Sequence, residues 1–288
     1  MLRSELKRLR KEKDMTQESV ALGLEWSTSK LIRIEGGHSS ISKTDLDALL
    51  THYGIGSGTE REKLQQMNKA ARGRGWWDAY KSDIPAPYLS YIGHEAGAAF
   101  IRQFPGTVVP GLLQTQEYAE ALRARAKNES ARNSTTVRLR LQRQSELAER
   151  SDPPHQYYVL DEAVIRRHVG VSIDRNIMPS QLRYLADVAS QNDLVTIRLI
   201  PFSAGEHAAQ SGAFTVLEFD GDLPDLLYID SGQGEQAVID REDWKVAEYA
   251  AIFEMLVDQA WSQDDSIDFI RQVAEEMSRA TEETYLPG

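Results

Sequence analysis

Thr28, Ser29, Lys30 and Arg33 fall close together, and each carries a donor suited to a phosphate oxygen or a base edge. Ser27 precedes them, Ser39 follows in a short polar loop (His38, Ser39, Ser40), and Gln17 lies upstream. Lys30 or Arg33 has the reach for guanine O6 and N7, and the hydroxyls suit backbone contacts. Such contacts need a rigid carrier. The stretch Thr16–Gly37, TQESVALGLEWSTSKLIRIEGG, reads as two short helices joined by a tight turn. Thr16 caps the first, with Val20 and Ala21 inward. Leu24 and Trp26 fill the corner, and Ser27 caps the second. Leu31, Ile32 and Ile34 are expected inward, and Gly36-Gly37 stops the helix. A polar, basic-tipped helix braced by another has the geometry that enters a DNA major groove. An ordinary helical hairpin of a larger protein shares the looser features of this pattern.

Chemistry of other kinds has weaker support. There is no Gly-x-Ser-x-Gly elbow, no phosphate loop ending in Gly-Lys-Ser/Thr and no His-Glu-x-x-His. His38, His52, His94, His155, His168 and His207 are scattered without metal-ligand spacing. The expectation is no catalytic residue, no metal and no cofactor, hence not an enzyme. Trp76, Trp77 and Tyr80 form an aromatic run that suits either a stacking platform or core packing. Arg138, Arg140 and Arg143 make a charged helix over 134–150 locally basic. Arg140 and Arg143 suit an acidic partner or phosphate, or a solvated face paired with Glu146 and Glu149.

The pattern T-Q-E-x-x-A…S-x-S-K-x-x-R-I-E-x-G resembles the lambda-repressor-like (Xre-type) helix-turn-helix domain. The resemblance implies a five-helix DNA-binding domain. It also implies that Gln17 touches DNA near the start of its helix, and that Thr28, Ser29, Lys30 and Arg33 lie on or beside the recognition helix. One departure is Glu25, where that family often has Gly in the turn. A side chain there tolerates the turn at some conformational cost and places a carboxylate near DNA. Further on, YIGHEAGA…FPGTVVPGLLQTQEYAEAL, RLQRQ, VLDEAVIRRHVG and IRLIPFSAGEHAAQSGAFTVLEF resemble a domain of unknown biochemical role found behind such motifs in actinobacterial regulators. That resemblance spans roughly residues 75–275. It implies regulation without naming a ligand, and a small companion protein encoded nearby as a partner.

The 288 residues are enough for two domains. The ARGRG stretch, residues 71–75, marks the boundary, giving 1–72 for DNA binding and 73–288 for regulation, dimerisation or partner binding. Net charge is −11, unevenly spread: residues 1–72 hold 13 basic and 10 acidic residues, leaving 20 and 34 for the rest. The head can meet phosphates, and the acidic body is expected to stay clear of DNA. Cysteine is absent, which excludes disulfides and Cys-based zinc sites. No apolar run approaches a membrane span, and the charged N-terminal stretch lacks a secretory core. A cytoplasmic protein, nucleoid-associated when on DNA, is the expectation.

Beyond the head, strands are predicted over 155–160, 195–201, 213–219 and 226–230, and an apolar helix over 88–102. Amphipathic helices follow over 241–261 and 266–277. The predicted fold class is α+β: five helices, then a mixed body with a sheet of three to five strands and C-terminal amphipathic helices. The functional reading is a sequence-specific transcription regulator acting on a double-stranded operator as a homodimer, since one helix reads only a short site. The alternative is an antitoxin-like or sequestering protein that binds a small companion, with DNA binding autoregulatory. An enzyme or small-molecule sensor within the body is the third option.

Overall fold

The computed structural model describes residues 2–35, 41–72, 75–124, 130–209, 212–220, 225–230, 236–239 and 244–283. The chain divides into two units, Met1–Trp76 and Trp77–Asp220 with Pro224–Gly288.

The first unit is five helices: α1 (Leu2–Glu12), α2 (Gln17–Gly23), α3 (Thr28–Glu35), α4 (Lys43–His52) and α5 (Thr59–Arg72). Helical spacing puts Leu2, Leu6 and Leu9 on one face of α1, where they meet Val20, Leu31, Ile34, Leu46, Leu49, Leu50 and Leu64 in one core. Leu24 and Trp26 pack against its edge, as the corner between α2 and α3 requires. Ser42 caps α4 by accepting from the Asp45 amide at 2.9 Å.

The second unit is built on a six-stranded mixed sheet: β1 (Phe100–Phe104), β2 (His155–Asp161), β3 (Val195–Ile200), β4 (Phe214–Glu218), β5 (Leu226–Asp230) and β6 (Gln236–Ile239), in the order β3-β2-β1-β4-β5-β6. β1, β2 and β3 run parallel; β4 then pairs antiparallel with β1, β5 with β4 and β6 with β5. Six strands exceed the three to five predicted. The strands beyond the four placed by sequence are β6, which pairs with β5, and β1: the helix predicted over 88–102 ends early, as α6 (Ala86–Glu95), and the chain then turns through Ala96–Ala99 into the sheet. Phe100 and Ile101 alternate exposed and buried, as strand pleating demands.

Side-chain alternation gives the sheet two apolar faces. Tyr158 and Leu160 of β2, with Val195, Ile197 and Leu199 of β3, point to α7 (Gln116–Ala124), α10 (Ile177–Gln191) and α12 (Gln263–Glu283). Val159 and the β4 and β5 residues Phe214, Val216 and Leu227 meet Val246, Phe253 and Leu256 of α11 (Trp244–Gln259). Two further helices complete the unit, α8 (Ser130–Ala148) and α9 (Glu162–Arg166). No helix among the described residues is long and apolar enough to cross a membrane.

Candidate nucleic-acid interface

The α2–turn–α3 segment is fixed at each joint by local chemistry. The Thr16 hydroxyl accepts from the Ser19 amide, and the Ser19 hydroxyl accepts from the Thr16 amide, both at 3.0 Å, closing a capping box on α2. The turn runs through Glu25 at φ 56°, a left-handed conformation that a non-glycine residue adopts at some cost. The Trp26 amide then donates back to the Ala21 carbonyl at 2.8 Å. Ser27 accepts from the Lys30 amide at 3.2 Å and so caps α3.

Glu35, at the C-terminal end of α3, is buried. Its carboxylate accepts from Arg10 Nε at 2.8 Å and Nη2 at 3.0 Å, and from Gln17 Nε2 at 2.8 Å. Arg10 also donates to the Met15 carbonyl at 2.8 Å. One carboxylate therefore ties α1, α2 and α3 together. The bidentate fork satisfies the buried charge from both sides, the geometry in which an arginine–carboxylate pair is strongest. The hydrogen bond that Arg10 donates to Glu35 raises its guanidinium above the ordinary value, against the opposing effect of burial.

The expected DNA-facing residues fall into distinct environments. Ser27, Ser29 and Arg33 are exposed and Thr28 is half-buried. Arg33 Nε lies 3.3 Å from the Ser29 carbonyl, and no carboxylate among the described residues pairs with it. Lys30 is held: its ammonium donates to Asp45 at 2.8 Å and stands 3.9 Å over the Trp26 ring. Gln17 is half-buried with one amide hydrogen given to Glu35, which leaves the second for a phosphate. Ser39 and the Gly36-Gly37 stop lie outside the described residues.

Ile32 departs from expectation. It is 47% exposed, whereas Leu31 and Ile34 are buried. On a helix of eight residues, Leu31, Ile34 and Glu35 take the inner side, and at 100° per residue Ile32 falls beside Ser29 and Arg33. The outer face of α3 is therefore a hydroxyl, an aliphatic side chain and a guanidinium at i, i+3 and i+4. The bases of α1 are also sorted. Arg10 is buried and Arg8 is engaged by Glu5 and Glu12, while Lys7, Lys11 and, just past the helix, Lys13 are exposed.

The remaining candidate residues lie outside this domain or at its edge. Trp76 is half-buried. Trp77 lies against α6, where a side chain on Gly93 would meet its ring at 3.2 Å. Tyr80 is buried and donates to Gln142 at 2.7 Å, with Arg138 over its ring at 5.9 Å. Trp77 and Tyr80 thus serve packing within the body. Arg143 is buried in a bidentate pair with Glu95, Nε–Oε1 2.5 Å and Nη2–Oε2 2.8 Å, and donates to the Tyr88 hydroxyl at 2.9 Å. Glu146 and Glu149 bond instead to Gln142 and Ser145. Arg140 is half-buried and donates through Nη1 to Gln114.

Two family models match the chain. Residues 2–64 match a helix-turn-helix domain, the span that holds the braced α2–α3 pair. Residues 88–272, well over half of the chain, match a domain of unknown function (DUF5753). The chain belongs to the DUF5753 family. Its members are defined by the body, and here that body follows a helix-turn-helix, a DNA-binding motif. No curated protein and no solved structure matches the chain.

Proposed function

We propose that this DUF5753-family protein is a sequence-specific DNA-binding transcription regulator of the Xre type, acting as a homodimer and without catalytic activity. The observation that carries the reading is the outer face of α3. Ser29, Ile32 and Arg33 are turned outward while Glu35 anchors the helix end in the domain interior. Lys7, Lys11 and Lys13 supply sequence-independent phosphate attraction, and Arg33 the base contact. A single short helix reads few base pairs, so two copies on a two-fold operator account for specificity, with half-sites about one helical turn apart. The acidic remainder of the chain, 34 acidic against 20 basic residues, favours a body kept off the phosphates, where it receives a signal or a partner.

Selection of bound duplexes from a random pool by the full chain tests this. The expected result is an enriched, two-fold symmetric motif. Recovery of random sequence, or no retention at low salt, would overturn the reading. A second reading has support in the body: Trp244 and Met255 on α11 are 69% and 48% exposed, apolar surface of the kind that partner proteins cover. Under that reading a small companion protein co-purifies with the chain, and DNA binding serves autoregulation.

A further inference from the structure

α3 is tied down at both ends, and the two ties differ in kind. At its C-terminal end Glu35 is held in the domain interior. Near its N-terminal end the tie is Lys30, whose ammonium donates to Asp45 Oδ1 at 2.8 Å and stands 3.9 Å over the Trp26 ring. Trp26 belongs to the turn and packs against the core edge. Asp45 lies in the first turn of α4, and its own amide is the one that Ser42 caps. Lys30 therefore joins the turn, α3 and α4. Among the described residues it makes the one hydrogen bond between α3 and α4.

Lys30 precedes Arg33 by three residues, so the two side chains are neighbours on the helix surface. The Lys30 and Asp45 side chains keep 33% and 29% of their surface exposed, which puts the pair at the margin of the outward face and not inside the domain. A carboxylate at that margin weakens general attraction to phosphate. What it supplies instead is a fixed place for the first turn of α3. Readout of base edges by Arg33 needs its helix held to within about 0.5 Å.

We propose that Asp45 is a specificity-determining residue that acts through Lys30: the pair sets the first turn of α3, and with it Arg33, against the base edges. Lys30 is then a positioning residue and not a phosphate contact. The inference rests on the DNA-reading function proposed above.

The test measures two dissociation constants for the full chain and for each variant, one for a selected operator and one for a random duplex, over a range of salt. Asp45→Asn removes a negative charge, so electrostatics alone would tighten binding to both duplexes alike. The result expected here is a fall of about three- to fivefold in the operator-to-random affinity ratio, the scale of a surface ion pair. Lys30→Met is expected to lower the ratio by the same factor, to leave the salt slope on random duplex unchanged, and to add nothing when combined with Asp45→Asn. A variant that is merely less stable loses affinity for both duplexes in proportion to its folded fraction, so the ratio separates positioning from misfolding. A wild type that discriminates while Asp45→Asn does so equally well overturns this inference alone, as does a salt slope lowered by about one in Lys30→Met. A wild type that prefers no sequence overturns the DNA-reading function, and this inference with it.

Discussion

Arg10 and Glu35 meet side-on inside the N-terminal unit, through Nε–Oε1 and Nη2–Oε2 contacts of 2.8 and 3.0 Å. They lie on α1 and on the last turn of α3, so the pair fixes the helix that faces outward to the helix that opens the chain. Glu35→Ala leaves the Arg10 charge buried without its partner and is expected to destabilise the N-terminal unit by about 3–5 kcal/mol. Replacing both residues by apolar ones of similar volume is expected to recover most of that loss. Urea unfolding followed in the full chain, with Trp26 as a local reporter, measures both. Equal losses in the single and double variants would show that the pair is not the cause.

Arg33 and Lys30 differ in how far they are committed within the protein. Arg33→Ala is expected to weaken binding to a selected operator by about 1–3 kcal/mol, with little change in melting temperature. Lys30→Ala is expected to weaken binding less, because its ammonium is shared with Asp45 and Trp26. It should also cost the domain up to about 1 kcal/mol of stability, the scale of a surface ion pair. Fluorescence titrations at fixed salt, paired with melting curves, give both numbers; the opposite ranking counts against the assignment.

Ile32 offers aliphatic surface where its neighbours on the outer face of α3 offer polar groups. Apolar side chains in a major groove discriminate through the thymine methyl. An operator in which uracil replaces thymine at the contacted position is expected to bind the wild type several-fold more weakly. Ile32→Ser should bind both duplexes alike. A wild type indifferent to every thymine methyl of the operator removes Ile32 from the reading surface.

Asp45 links the caps to pH. Burial pushes its carboxyl up, but hydrogen bonds from Lys30 and Ser42 outweigh burial and hold it below the ordinary value. A folded value below the unfolded one means that the contribution is complete above the unfolded value, about 4, and is lost as pH falls through the folded value. The stability gap between wild type and Asp45→Asn is therefore expected to be constant from pH 7 to 5 and to narrow below about 4. Denaturant midpoints over that range decide it, and a gap that stays constant to pH 3 refutes the coupling.

The helix-turn-helix was legible because its signals are local. Thr16 and Ser27 cap within three residues, the apolar spacing fits one helix at a time, and the left-handed position is a single residue, Glu25. What escaped was set by phase or by distance along the chain. Ile32 sits one step from Leu31, and so short a helix leaves little periodicity to separate an inner residue from an outer one. Nothing in the local pattern of α1 marks Arg10 as buried, because its partner is Glu35, from another helix. β1 follows an apolar helix with only Gly97 and small residues to announce the change. The burial of Arg143 depends on Glu95, across 48 positions, which no window of local pattern spans.

Because Glu35 receives hydrogen bonds from both α1 and α2, α3 has no private hinge. Tilting it would strand a buried charge, at a cost of about 3–5 kcal/mol. Any regulation of the proposed kind is therefore expected to move the N-terminal bundle as a block and to leave the internal form of α3 and its neighbours intact.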